Sequence, residues 1–199
     1  MMEAVLKRLP LLLSLVAMAS CAGNGWTDAE RRLIMGGEGL MRVLTVDNPA
    51  DSVVLRSKSA KMMAGELQAP EYEALAGRLV ATVTDPSQDG VGIAGPQVGV
   101  LRRVVAVQRF DKEGEPFEVY PNIRIVAFRG EREPGREGCL SVPGRRGEVL
   151  RYRDIDIEYT SMKTMQDTLE TVTGFTAVIF QHECDHLDGV LYTDKLDSE

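Results

Sequence analysis

The run His182-Glu183-Cys184-Asp185-His186 sets two histidines four positions apart with a glutamate directly after the first. On an α-helix each residue advances about 100°, at 3.6 residues per turn. The two imidazoles then stand about 40° apart on one face, one turn apart, and Glu183 lies beside them. The spacing therefore asks for a helix, and residues 174–188 read as one, with Gly189 placed as its C-terminal stop. Two imidazoles so arranged hold a zinc-like cation, and a neighbouring glutamate reaches a water on it. The plain alternative is a pair of surface histidines on a solvated helix. The chain has 2 histidines in all, and both fall here, which favours a shared purpose.

A catalytic site of this kind uses three protein ligands and keeps one position open. One extended form of the motif adds a glycine and then a histidine. Gly189 fits it, but Tyr192 stands where the histidine belongs. Another form takes a glutamate well downstream, and few residues follow His186. The third ligand is thus expected upstream. The thiols are Cys21, Cys139 and Cys184. Cys184 is two positions from His182 and points to the other side of the helix, where a small buried side chain packs well. Cys21 belongs to a leader described next. That leaves Cys139, within Glu137-Gly138-Cys139-Leu140-Ser141. With 3 cysteines, a disulfide framework is not expected.

The first twenty residues read as a targeting signal. Lys7 and Arg8 precede a short apolar run (Leu11, Leu12, Leu13, Leu15, Val16, Ala17), and small residues lead to Cys21. The run is short for a membrane span. A cysteine directly after the cut resembles a bacterial lipoprotein signal, with Cys21 as the lipidated N-terminus and the chain anchored to a membrane outside the cytosol. A buried N-terminal helix is disfavoured by Pro10. A true start at Met35 or Met41 would instead leave a cytoplasmic protein. The expected organisation is a signal at 1–20, a tether and extension at 21–42, and a catalytic domain at 43–199.

The remaining pattern is one of short strands and two long helices. Residues 28–35 suit a short helix. Residues 43–46 and 53–55 are short apolar segments. Residues 71–84 carry Tyr72, Leu75, Leu79, Val80 and Val83 at helical spacing behind Pro70. Strands are expected at 104–108, 117–120, 123–128, 149–152, 155–159 and 168–172, with a turn at 111–115 and a charged loop at 131–138. The class is α+β, with short antiparallel strands packed around a C-terminal metal-binding helix. A net charge of −7, spread along 199 residues, argues against a nucleic-acid surface.

Three segments in order, Gly90-Val91-Gly92-Ile93-Ala94-Gly95-Pro96-Gln97, then Glu137 to Ser141, then Gln181 to Gly189, resemble the three motifs of peptide deformylases. The resemblance runs from about Val43 to Leu196. It implies a peptide-deformylase-like fold and removal of the formyl group from N-formylmethionyl peptides by hydroxide held on a metal ion. It implies that Cys139, His182 and His186 hold one divalent ion, ferrous iron by family habit, with zinc also accepted. Glu183 is implied as proton shuttle, and the Gln97 amide and the Leu140 N–H as partners of the developing oxyanion. Val91, Gly92, Glu137 and Gly138 are implied along the substrate. Val178 and Ile179 are candidates for a methionine pocket or for plain core. A monomer is expected.

This chain departs from that pattern in places. Gly95 replaces the usual alanine, which adds backbone freedom beside Gln97. Pro121-Asn122 reverses a common order, and the chain stops soon after Leu196. Two other readings compete: an exported relative that binds formyl peptides or metal with little turnover, and a metallopeptidase. The intact Glu183 and Gln97 speak against the first, and the missing downstream ligand against the second.

Overall fold

The computed structural model describes residues 25–37 and 39–196. The leader and Cys21 lie outside them. Helix α1 (Asp28–Met35) begins at a capping box, in which the Thr27 hydroxyl accepts from the Glu30 N–H and the Glu30 carboxylate accepts from the Thr27 N–H. Helix α2 spans Pro49–Leu55, capped by the Asn48 side chain. A short α3 (Ala64–Leu67) leads into α4 (Pro70–Thr84), which starts at its proline and buries Tyr72, Leu75, Leu79 and Val83. Residues 53–55, expected only as an apolar segment, are the end of α2, because Asn48-Pro49 supplies both a cap and an N1 proline.

Two three-stranded antiparallel sheets follow. The first orders β1 (Gly92–Ala94), β2 (Val104–Gln108) and β3 (Phe117–Pro121). The second orders β4 (Arg124–Cys139), β5 (Val142–Thr160) and β6 (Asp167–Thr173). β2 is buried along Val104, Val105, Ala106 and Val107, and so reads as a continuous apolar run. Helix α5 (Gly174–Leu187) then packs on β1, β2 and β5. Its Ala177, Ile179, Phe180, Cys184 and Leu187 join one core with Ile155, Ile157 and Val172 of the second sheet. A second core lies between α4, α1 and the first sheet. Among the described residues no helix is long and apolar enough to cross a membrane.

Two expectations are corrected by the second sheet. Residues 131–138 are not a loop but the far half of β4, and the strands at 149–152 and 155–159 are one continuous β5. Opposite charges facing each other across the hairpin explain why so polar a stretch pairs: Glu133 with Arg153 at 3.3 Å and Glu137 with Arg151 at 2.7 Å. Pro134 is tolerated because β4 is an edge strand.

The residues expected as an N-terminal extension after the tether pack against the body. Trp26, Ile34 and Met41 are buried, and the Trp26 indole N–H donates to the Glu66 carbonyl at 3.1 Å. Arg102 holds Glu30 at 2.7 Å and the Gly25 carbonyl at 3.0 Å. Arg78 of α4 donates to the carbonyls of Leu33, Ile34, Gly39 and Leu40. Residues 26–37 and 39–42 are therefore packed into the same body, tied to it in part by the orphan carbonyls at the end of α1.

Candidate metal centre

α5 brings three groups to one side. His182 and His186 are neighbours on its face, with ring centroids 5.0 Å apart, and Glu183 sits beside them. The tip of the β4–β5 hairpin supplies the sulfur. Cys139 is the last residue of β4 and pairs with Val142 across the turn Leu140-Ser141. One donor atom each from Cys139, His182 and His186 lies within 4.8 Å of the others, and the Cys139 sulfur is 3.2 Å from His186 Nε2.

The surroundings suit a cation. His182 Nδ1 meets Glu137 Oε2 at 2.7 Å, which fixes the ring and leaves its Nε2 for the centre. Glu137 in turn accepts two bonds from Arg151, at 2.7 and 3.0 Å, and Arg151 donates to Asp185 at 2.6 Å. Lys195 closes the chain on Asp185 at 2.7 Å. Burial pushes the Glu137 carboxyl up, but the bonds from His182 and Arg151 outweigh it and hold its pKa down at about 2. Burial opposes a charge on His182, yet Cys139 and Glu137 raise its pKa to about 10, whereas burial and the facing His182 push His186 well below the ordinary value. The sulfur and the Glu137 carboxylate thus favour the charged form of His182, and that ring disfavours it in His186. A soft thiolate with two imidazoles is a donor set that several first-row divalent ions accept.

Glu183 is buried, and burial lifts its pKa to about 7. Its Oε2 has no hydrogen-bond partner among the described residues. Gly92 makes room for it: a Cβ there would stand 2.5 Å from Glu183 Oε1 and 2.8 Å from Ile179 Cγ2. Glu183 and Ile179 of α5 occupy the space on that Cβ side, and Gly92 also lines the adjoining cavity. Gln97 is buried in the short 3-10 turn after β1 (Gly95–Val98). Its side-chain oxygen accepts from the Ala94 N–H at 2.8 Å, so its NH2 must point inward. That group lies 3.6 Å from the Cys139 sulfur and 3.2 Å from Ser141 Oγ. Gly95 is a close-approach glycine, not a flexible one, since a Cβ would lie 2.7 Å from the Val100 carbonyl oxygen and 2.8 Å from that of Arg102.

A cavity of about 830 Å3 opens onto this group. Val91, Gly92, Gln97, Leu140, Val178 and Ile179 line it, as do Glu137 and Gly138. Val178 and Ile179 are 6% and 4% exposed, so they serve as core and cavity wall together. The Glu137 carboxylate is engaged by His182 and Arg151. The sequence reading assigned no role to Arg151, Asp185 and Ser141, which contact the site, or to Phe175, which lines the cavity. Arg151 had a signal: alternation puts it on the same face of β5 as buried Val149, and a charge there needs a buried partner.

The profile of the polypeptide deformylase family matches residues 40–199. A peptide deformylase of Leptospira biflexa serovar Patoc is 35% identical over 164 residues, covering 79% of this chain and 88% of that protein. The crystal structure of peptide deformylase from Thermotoga maritima superposes with a TM-score of 0.69 at 28% identity, over 81% of this chain and 100% of that one. A Met-Ala-Ser-bound class I type b peptide deformylase from Acinetobacter baumannii gives 0.69 at 32% identity, over 79% and 98%. With its thiol, paired imidazoles and buried glutamate converging in the matched region, the chain belongs to the peptide deformylase family.

Proposed function

We propose that Cys139, His182 and His186 hold the catalytic divalent ion of this metal-dependent deformylase, and that Glu183 moves the proton. The observation that carries this reading is the convergence of three donors from two separate elements within 4.8 Å, beneath a cavity lined by Cys139, His182, Glu183 and Gln97. When bound, the ion supplies a water of lowered pKa at that spot. Glu183, with a free carboxylate oxygen, accepts the water's proton and returns it to the leaving amine. A cation on the neighbouring ligands lowers its pKa from about 7, which keeps it ionised as a base at neutral pH. The Gln97 NH2, aimed by its bond to Ala94, donates to the oxygen that gains charge as the formyl carbon becomes tetrahedral. The N–H of Leu140, in the hairpin turn, is assigned the same duty. Val178 and Ile179, with Val91 and Leu140, form an apolar wall suited to a methionine side chain. The Met-Ala-Ser bound to the Acinetobacter relative supports a peptide in this cavity.

The test uses the chain loaded anaerobically with ferrous iron and separately with zinc. It is offered formyl-Met peptides and their acetyl and free-amine counterparts. Formyl-specific turnover that is lost in Glu183→Ala, with metal still bound, supports the assignment. Stoichiometric binding without turnover would favour the exported binding relative instead. The thiolate ligand suits both iron and zinc, and an oxidising compartment would favour zinc.

We further assign the chain to a membrane surface through lipid at Cys21. Support for the long reading frame comes from Trp26 and Ile34: a start at Met35 or Met41 would delete two buried residues. Labelling with a radioactive fatty acid, in the wild type and in Cys21→Ser, decides the matter. Label that persists in the variant overturns the assignment.

A further inference from the structure

We propose that the rim of the catalytic cavity selects formyl peptides bearing a carboxylate beyond the methionine, through Arg136, Arg145 and Arg146. This deepens the deformylase reading and rests on it. The three arginines line the cavity from the hairpin that carries Cys139, and all three are exposed. Several arginines of the same hairpin are matched, Arg151 with Glu137 and Asp185, Arg129 with Asp154 and Arg153 with Glu133, while Arg132 is unmatched among the described residues but does not line the cavity. Arg136, Arg145 and Arg146 hold no carboxylate at ion-pairing distance among the described residues. Arg146 lies across Gly138, its Cγ 3.4 Å and Nε 3.7 Å from where a Cβ would be, so its guanidinium is stationed one residue from Cys139.

The opposing charges are few. Glu148 faces Arg136 in the hairpin register, Asp89 is exposed on the other lip, Glu137 is occupied below, and Glu183 sits on the floor among the metal-ligand candidates. In a chain of net charge −7, three unmatched cations at one opening form a local positive field. At physiological salt the screening length is about 8 Å, so an anion entering the cavity feels the rim and not the distant acidic surface. A peptide whose formyl group sits at the floor must pass the rim, and its side-chain or terminal carboxylate meets guanidinium groups that bind it bidentately. A nucleic acid is the poorer fit, because the arginines line the cavity and not a broad basic face.

The experiment compares kcat/KM for formyl-Met-Ala-Ala amide, the same peptide with a free C-terminal acid, and amides carrying Glu, Gln or Lys at the third position. Rim ion pairs are modest, so acid-bearing peptides should exceed the neutral amide about three- to tenfold and the Lys peptide should fall below it. The gap should shrink with added NaCl and close in Arg145→Gln/Arg146→Gln. Preference for the free acid alone assigns the rim to short peptides, and preference for Glu assigns it to acidic side chains. Equal rates for all five, a gap unchanged in the double variant, or competition by a short oligonucleotide with no acid preference would overturn the proposal. Formyl-Met amide, which has nothing beyond the methionine, is the separate check on deformylation itself. Equilibrium binding of the uncleaved peptides to Glu183→Gln reads the same ranking without turnover.

Discussion

The two halves of the metal centre are built by opposite means. α5 delivers His182, Glu183 and His186 from five consecutive residues, and helix geometry alone puts them on one side. The hairpin delivers Cys139, Glu137 and Arg151 from two strands, and only the pairing of β4 with β5 makes them neighbours. A one-residue slip in that pairing would turn every side chain to the wrong face. The helix half is therefore specified locally and the hairpin half by register, charge pairing and a buried arginine. Substitutions on the helix half should stop chemistry with the scaffold intact. Those on the hairpin half should damage metal affinity and stability together.

The largest expected effect tests the helix half. Glu183→Gln keeps the shape of the side chain and removes the base. It should lower kcat by about 10²- to 10⁴-fold while the bound metal and the unfolding midpoint stay near wild type. Loss of metal in this variant, read by elemental analysis, would show that the helix half also depends on the glutamate for assembly. The comparison would then fail.

Arg151→Met tests the hairpin half. Arg151 is 3% exposed and holds two acids, Glu137 and Asp185. Its removal leaves buried Glu137 without its guanidinium partner, while Asp185 keeps Lys195, a loss on the order of 3–5 kcal/mol. Glu137 then orients His182 less firmly, and metal affinity should drop about 10- to 100-fold. Denaturant titration and metal competition measure the two separately. An effect on affinity with stability unchanged would mean that the hairpin is held by its strand pairing alone.

That contrast explains what the sequence made legible. His182, Glu183 and His186 declared themselves, because a four-residue spacing encodes a helix face without reference to anything else. Cys139 was reached as the remaining thiol, and the structure puts it at the hairpin tip, where its place depends on partners 3 to 19 positions further along β5. Residues 131–138 looked like a loop because local polarity was visible and their matching charges on β5 were not tied to them by any local rule. Gly92 and Gly95 were legible as glycines, but what fills the space beside each, Glu183 in one case and two carbonyls in the other, is a tertiary fact. Trp26 and Ile34 were hidden for the same reason: the groups that hold α1, Arg78 and Arg102, lie far along the chain.

Gly92→Ala probes the seam where helix and sheet meet. The added Cβ would lie 2.5 Å from Glu183 Oε1 and 2.8 Å from Ile179 Cγ2, so α5 must shift or Glu183 must turn. Overpacking of this size costs about 1–3 kcal/mol. Activity should fall by more than that stability loss explains, because the displaced group is the base. Wild-type activity with a lowered unfolding midpoint would show that α5 tolerates the shift without moving Glu183.

The smallest effect belongs to the extension, which lies outside both halves and serves as their control. Burial raises the Glu30 carboxyl, but bonds from Arg102 and Thr27 outweigh it and hold its pKa below the usual 4.5. A carboxyl whose folded pKa is depressed contributes stability above its unfolded value and loses it as pH falls through the folded one. Acidification below about 4.5 should therefore loosen α1 from Arg102 while the metal-free core still holds. The chain has 1 tryptophan, Trp26, which is buried against α3, so its emission reports on the packing of the extension. A red shift that precedes the loss of far-ultraviolet ellipticity is the expected result, and Glu30→Gln should show a red-shifted emission already at neutral pH. Because α1 is tied down by carbonyl bonds to Arg78 as well, the shift should be partial. If emission and ellipticity change together, the extension unfolds only with the whole body. Residues 26–42 would then belong to the same cooperative unit as the hairpin and α5.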